Sequence, residues 1–229
     1  MPLDARAIRP NLVYRALRTA RRRNDYALSI FARAVAIGLT LLTGCGGSRA
    51  IKAPPIDAEA VADKYLALYD VDQDGLIAGE ELKASASLRD AVKNRIDSDN
   101  DGAISRTELM HRFERWVAGG VGAAVLSCRV VYKGRPLDGA QISLVPDAPL
   151  QGVIQPATGV TNSNGLALMA MDSANLPSDM ANLRAVQQGL YRVEITHPTL
   201  DIPAKYNTDS SLGVEVSFET GRNLVEFRI

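Results

Sequence analysis

Cysteine and histidine are scarce in this chain of 229 residues, which contains two of each. Two cysteines are too few for the dense disulfide network of a small secreted scaffold. The two histidines, His111 and His197, lack the spacing of a zinc site or a catalytic triad. The chain also lacks a glycine-rich phosphate loop and a nucleophile elbow. We therefore predict that the protein is not an enzyme.

Net charge is also absent, because 26 lysines and arginines balance 26 aspartates and glutamates. A neutral chain argues against nucleic acid as a partner, since that role requires a basic surface. The balance is a cancellation between segments, whose net charges are +6 for residues 1–44, +2 for 45–56, −6 for 57–118 and −2 for 119–229. The four segments therefore differ in character.

The first segment has the layout of a targeting sequence. Its arginines end at Arg33, and residues 34–43 carry no charge. This run is too short for a transmembrane helix, which takes roughly 20 apolar residues. A basic region, a short apolar region and then small residues are typical of a secretory signal. The sequence Leu-Thr-Gly-Cys that ends at Cys45 resembles the lipobox of bacterial lipoproteins.

The lipobox resemblance implies that residues 1–44 are a signal peptide and that Cys45 is triacylated, with palmitate as an expected lipid. Several acyl chains anchor a protein stably, so the membrane is an expected partner through Cys45. We expect a secreted protein attached to the bacterial envelope, at the outer membrane or cell surface rather than the inner membrane. Residues 45–56 contain glycine, serine and proline without apolar periodicity, which predicts a flexible tether.

The acidic segment contains two twelve-residue loops that resemble the EF-hand calcium loop, at 70–81 and 97–108. Each has glycine at position 6, an apolar residue at position 8 and glutamate at position 12. Oxygen ligands at this density favour Ca²⁺, because Mg²⁺ keeps more of its water. We predict two Ca²⁺ ions. The predicted ligands are Asp70, Asp72, Asp74, the Leu76 carbonyl and Glu81 in the first loop, and Asp97, Asp99, Asp101, the Ala103 carbonyl, Ser105 and Glu108 in the second.

The flanks of the loops predict helices, so residues 57–118 are interpreted as an EF-hand pair. Asp57 is a predicted N-cap, and the apolar stripe after the second loop contains Leu109, Phe113 and Trp116. Only fifteen residues, 82–96, separate the loops. We predict two short helices near 79–85 and 88–96, the second started by a capping box at residues 87–90, so that Ile77 and Ile104 can pair. Dockerin modules are an alternative, although their loops usually end in aspartate and lack the first helix.

The hydrophobic period changes to two from Val121 onward, which predicts strands. Seven strands in 121–229 suggest an antiparallel sandwich, with Cys128 as a small buried side chain. Several phrases, including Lys-Gly-Arg-Pro from Lys133 and Gly-Leu-Tyr-Arg-Val from Gly189, resemble transthyretin-like, or carboxypeptidase regulatory-like, domains of bacterial lipoproteins. The resemblance implies a prealbumin-like seven-stranded sandwich, a domain whose usual role is unknown or accessory. The predicted strands are 121–131, 141–145, 158–161, 166–171, 191–196, 214–218 and 224–229, with a short helical insertion around 179–186.

The predicted fold class is therefore α+β in two domains, a small all-α EF-hand pair followed by an antiparallel β-sandwich. The expected function is that of a lipid-anchored structural or binding module whose EF-hand pair is ordered by calcium. Two alternatives remain: a calcium-responsive sensor that opens an apolar groove, and a dockerin-like assembly module. A protein or cell-wall partner of unknown identity is expected in each case.

Overall fold

A computed structural model describes residues 51–229, so the predicted signal peptide, Cys45 and the first part of the predicted tether lie outside the described residues. The described residues belong to one compact unit. Helices fill its first third and mostly antiparallel strands the remainder, which confirms an α+β class. Within 51–229, no helix is both long and apolar enough to cross a membrane.

Four α-helices surround the two predicted calcium loops: α1 (Ala58–Tyr69), α2 (Gly79–Ala84), α3 (Ala86–Lys93) and α4 (Arg106–Ala118). Asp57 caps α1 by accepting a hydrogen bond from the Ala60 amide at 3.0 Å. The loops meet through two short strands, β1 (Leu76–Ile77) and β2 (Ile104–Ser105), in which Ile77 lies opposite Ile104. The prediction of two short helices instead of one rod is confirmed, and so is the pairing of the loops.

The predicted start of α3 is wrong by two residues. Ser85 rather than Ser87 is the N-cap, and its hydroxyl accepts a hydrogen bond from the Leu88 amide at 3.2 Å. Asp90, predicted to complete a capping box, instead accepts a hydrogen bond from the Glu215 amide of the sheet. The Asp90 carboxylate therefore makes a tertiary contact with the sheet and does not cap its own helix.

The remaining strands form two larger sheets that share one apolar core. Their bounds are β3 (Ser127–Tyr132), β4 (Arg135–Pro136), β5 (Gln141–Pro146), β6 (Ala157–Val160), β7 (Leu166–Leu168), β8 (Ala170–Met171), β9 (Gly189–Thr196), β10 (Gly213–Val216) and β11 (Leu224–Arg228). The five-stranded sheet has the order β10-β9-β5-β6-β8, and in the other sheet β3 is flanked by β11, β4 and β7. Buried side chains alternate along β5 and β11, as expected for strands with one face on a core.

This arrangement differs from a seven-stranded antiparallel sandwich in two ways. First, β11 pairs with β3 in parallel, a direction that alternating hydrophobicity does not encode. Second, the predicted strand 166–171 is two strands, because β7 pairs with β3 in one sheet and β8 pairs with β6 in the other. The chain changes sheets at Met169, whose amide donates to the Leu126 carbonyl.

Two further predictions for residues 121–229 need correction. The first strand of the sandwich begins at Ser127 rather than Val121, although Ala124 forms an isolated antiparallel bridge with Val186. The predicted helical insertion around 179–186 is wrong, since that region holds a short 3₁₀ turn at Ser178–Met180. The bridge explains this, because it holds Val186 in an extended conformation where a helix would need to continue.

The end of the predicted tether lies against the folded chain. Ile56 belongs to the apolar core, and Pro54 is buried. A side chain at position 122 would lie 1.9 Å from the carbonyl oxygen of Ile51, so only glycine permits this approach. Residues 51–56 therefore pack on the fold although they form neither helix nor strand.

The helical segment packs directly on the five-stranded sheet. Gly213 of β10 is so close to α3 that a Cβ there would lie 2.3 Å from backbone atoms of Ala86 and Ser87. At the other side of this contact, the guanidinium of Arg112 on α4 pairs with the carboxylate of Glu215 on β10. Both side chains are almost fully buried, at 3% and 0% exposure. Burial raises the pKa of Glu215, while Arg112 and Asn94 act in the opposite direction.

A second buried carboxylate joins the helices to the loop after β5. Asp147 accepts hydrogen bonds from the hydroxyls of Tyr65 (3.5 Å), Ser85 (3.3 Å) and Ser87. Burial raises the pKa of Asp147, and the three hydroxyl donors and Arg192 oppose that shift. These polar groups are expensive to bury unless each finds a partner, so they specify how the helices sit on the sheet.

We expect Arg112→Met to lower the free energy of unfolding by about 3–5 kcal/mol, because it leaves the Glu215 carboxylate buried without its partner. Urea denaturation measures this change. The matched control is Arg228→Met, which removes the guanidinium that pairs with Glu226 on an exposed part of β11 and should cost less than about 1 kcal/mol. A similar loss in both variants would contradict a special role for the buried pair.

Candidate metal centre

Each predicted loop brings three carboxylates together. In the first loop, oxygens of Asp70, Asp72 and Asp74 lie within 4.8 Å of one another, and in the second loop those of Asp97, Asp99 and Glu108 do so. Such a group of hard anionic oxygens on a short loop is the donor set that a calcium ion requires. The residue types therefore fit Ca²⁺ in both loops.

The backbones of the two loops have the same conformation at matching positions. Position 4 has a positive φ in both, 63° at Gln73 and 62° at Asn100. Position 6 is also positive, 88° at Gly75 and 87° at Gly102. Glycine is favoured at the sixth position because the left-handed region is strained for residues with a Cβ. The loops are thus structural repeats and not merely repeats of sequence.

Matching hydrogen bonds hold each loop closed. The first aspartate of each loop accepts from the glycine amide at position 6, at 3.0 Å for Asp70 and 3.1 Å for Asp97. The aspartate at position 5 accepts from the amide two residues later at 2.8 Å in both loops, Asp74 from Leu76 and Asp101 from Ala103. These bonds turn the aspartates toward the centre of the loop.

The glutamate at position 12 closes each loop from the far end. Glu81 accepts from the amides of Val71 (2.6 Å) and Ala78 (3.2 Å), and Glu108 accepts from those of Ser98 (2.7 Å) and Ser105 (2.9 Å). The amides of Ala78, Val71 and Asp72 lower the pKa of Glu81. Burial alone would raise the pKa of Glu108, but the hydrogen bonds from Ser105 and Ser98 outweigh it and lower the pKa. Both glutamates are therefore held in the anionic form that binds a cation.

Asp97 differs from its counterpart in the first loop. It is buried, and its Oδ1 atom has no hydrogen-bond partner among the described residues. An unpaired buried carboxylate oxygen is costly, and a bound cation would remove that cost. This atom is the most direct structural indication of a ligand in either loop.

Not every predicted ligand lies in the carboxylate clusters. Glu81 and Asp101 are outside the groups within 4.8 Å, although both belong to their loops. The Ser105 hydroxyl caps α4 and donates to Glu108 at 2.9 Å, so it supports a carboxylate directly. The predicted carbonyl positions are occupied by Leu76, which is the first residue of β1, and by Ala103, which directly precedes β2.

Sequence reasoning missed one residue beside the second loop. Arg112 donates to the Asn94 carbonyl at 3.3 Å, three residues before Asp97, while it also pairs with Glu215 of the sheet. The only sequence signal is its position in the apolar stripe of α4 between Leu109 and Phe113, a face where a surface arginine would be out of place. The contact links the start of the second loop to β10.

The remaining residues singled out in the sequence lie away from both loops or serve other roles. His197 joins a turn, since its ring contacts the Asp138 carbonyl and the amides of Thr199 and Leu200, and His111 is exposed on α4. Cys128 is a buried free thiol, as predicted, and burial raises its pKa to about 12.

Comparison with known proteins supports the identification of the second loop as part of an EF-hand motif. A protein-family model described as EF hand matches residues 94–113, so the chain carries an EF-hand motif there. No curated protein matches the chain. Among solved structures, a DUF3823 family protein from Parabacteroides merdae has a TM-score of 0.29 and 15% identity, with 46% of this chain and 44% of that chain covered. The alignment thus spans less than half of that structure.

We expect Asp97→Asn to weaken calcium binding in the second loop by roughly tenfold or more, because it removes an anionic oxygen from the cluster. Asp70→Asn should do the same in the first loop. Isothermal titration calorimetry of the full-length chain gives the number of sites and their affinities. The control is Asp201→Asn, which removes an exposed carboxylate outside both loops and should leave both affinities unchanged. Unchanged binding in Asp97→Asn would contradict the assignment.

Proposed function

We propose that the protein is a calcium-binding, lipid-anchored envelope protein in which two ions order the EF-hand pair as a structural module. The observation that carries the proposal is the unpartnered, buried Oδ1 atom of Asp97 inside an EF-hand loop. Bound Ca²⁺ would supply charge neutralisation and a rigid link between carboxylates that otherwise repel one another.

Two sites, rather than one, are supported by the likeness of the loops. The family model matches the second loop alone, but the first has the same positive-φ positions and the same hydrogen bonds from the amides at positions 6 and 7 to the aspartates at positions 1 and 5. Its Asp70, Asp72 and Asp74 are more exposed than Asp97 and Glu108, and position 9 is Ala78, which has no side-chain ligand atom. We expect the first loop to bind Ca²⁺ more weakly for both reasons.

A structural role is favoured over a sensor by the packing of the helices. A sensor must expose an apolar groove when calcium binds. Here the apolar residues of the pair, such as Leu88, Phe113 and Trp116, are already buried. The helices that would have to move are held to the sheet by Arg112 and Glu215. These contacts support a pair that stays closed and stiffens the adjacent sandwich.

The envelope location rests on the lipobox resemblance at Cys45, which is outside the described residues. The transthyretin-like resemblance implies a β-domain whose usual role is unknown or accessory. Together they support a protein that displays a rigid β-domain near a membrane, for a protein or cell-wall partner. A constitutive role would need only the modest calcium affinity of extracellular modules, roughly 10⁻⁴–10⁻³ M.

Removal of calcium is expected to lower the melting temperature of the full-length chain by several degrees, since ligand binding stabilises only the folded state. Differential scanning calorimetry in EDTA and in excess calcium measures this shift. A double variant, Asp70→Asn with Asp97→Asn, should show little response to calcium. A calcium-dependent rise in binding of a hydrophobic dye, instead of a rise in melting temperature, would favour the sensor.

We expect Cys45→Ser to abolish lipid attachment and to release the protein from the membrane fraction, because the thiol is the group that would accept the lipid. Metabolic labelling with palmitate followed by cell fractionation tests both effects. Cys128→Ser is the matched control. The Cys128 thiol is buried and should not be labelled, so this variant should keep the label of the wild type. Retention of label in Cys45→Ser would refute the anchor without affecting the calcium proposal.

A further inference from the structure

A basic cavity lies where the C-terminal end of α3, α4 and the turn that follows β10 meet. Its volume is about 640 Å³, and it is lined by Lys93, Asn94, Arg95, Arg112, Arg115 and Glu219. Four of these six side chains are cationic, although residues 57–118, which supply five of the six, have a net charge of −6. The cavity therefore concentrates positive charge within an acidic part of the protein.

The cations of the cavity exceed the carboxylates that face them. Arg112 pairs with Glu215 and Glu219, and Arg115 lies 3.4 Å from Glu219. Lys93 and Arg95 form no ion pair within residues 51–229. With both glutamates ionised, the four cations leave a net charge of about +2 at the cavity, and the two unpaired side chains, which are two residues apart in sequence, are exposed.

Arg95 occupies a position where backbone preference favours a different residue. It follows the C-cap of α3 with a φ of 68°, in the left-handed region that usually holds glycine or asparagine after a helix. An arginine there costs roughly 1 kcal/mol relative to glycine. The guanidinium at the mouth of the cavity is thus present despite a local conformational penalty, and such outliers point toward function.

Arg112 gives the cavity a fixed cationic wall. Its side chain is 3% exposed, and Glu215, Glu219 and the Asn94 carbonyl each accept from its guanidinium. Guanidinium groups present several parallel donors that match the oxygens of phosphate. A buried arginine and two exposed, unpaired cations in one cavity form an arrangement suited to hold a small oxyanion.

We propose that this cavity binds a phosphomonoester group. A phosphomonoester carries a charge of about −1.5 to −2 at neutral pH, which matches the cavity better than a single carboxylate does. The group could belong to a soluble phosphate ester or to the headgroup of a phosphomonoester lipid. The inference stands on the cavity and its charges, so it does not depend on calcium binding by the loops.

Isothermal titration calorimetry of the full-length chain with glycerol phosphate tests the proposal. The expected result is saturable binding that weakens about tenfold or more in the double variant Lys93→Gln with Arg95→Gln, because two charge-assisted contacts are lost. The matched control is Lys64→Gln with Arg135→Gln, which removes two exposed cations away from the cavity and should leave the affinity within about twofold of the wild type. Because every variant retains the arginines of residues 1–44, any binding by that segment is common to all.

Vesicles that contain phosphatidic acid distinguish the two sources of the group. If the wild type binds the vesicles but binds glycerol phosphate only weakly, and the Lys93→Gln with Arg95→Gln variant loses the vesicle binding, the cavity is assigned to a lipid headgroup. If the wild type binds glycerol phosphate well and the same variant loses that binding to an equal extent, the cavity is assigned to a soluble ligand. No saturable binding of either probe by the wild type, or equal binding by the cavity and control variants, would overturn the proposal. Circular dichroism of each variant confirms that it remains folded.

Discussion

The buried pair between Arg112 and Glu215 is the constraint that joins the two halves of this molecule. Each group would be costly to bury alone, so the helical segment and the sheet must meet in one orientation for either charge to be satisfied. The same guanidinium also holds the Asn94 carbonyl ahead of the second loop. A movement of that loop would therefore be transmitted to β10 through one side chain.

Charged side chains are concentrated in two neighbouring regions of opposite sign, the loops and the cavity. The loops gather carboxylates that repel one another, while the neighbouring cavity gathers arginines, and Arg112 belongs to the boundary between them. The separation of opposite charges over a short distance gives the interface a strong local field even though the whole chain is neutral. Neutral composition thus conceals two oppositely charged surfaces that the fold places side by side.

The local features of the helical segment could be predicted from sequence because they depend on short-range chemistry. The glycine at position 6, the pairing of Ile77 with Ile104 and the division of residues 79–93 into two helices all follow from spacing. The parallel pairing of β11 with β3 and the change of sheet at Met169 could not, because alternation records which face is buried and not which strand lies alongside. Arg112 was missed because its partner, Glu215, is distant in sequence.

The position of α3 has a consequence for the solubility of the sheet. β10 is the edge strand of the five-stranded sheet, and its Glu215 amide, which faces away from β9, donates to the Asp90 carboxylate of α3 at 3.0 Å. A free edge strand is a template for a strand of another chain. The opposite edge, β8, is only two residues long and offers little to pair with. The helical segment therefore covers this edge of the sheet. A chain whose helices detach would expose β10, and a strand from a second copy could then pair with it.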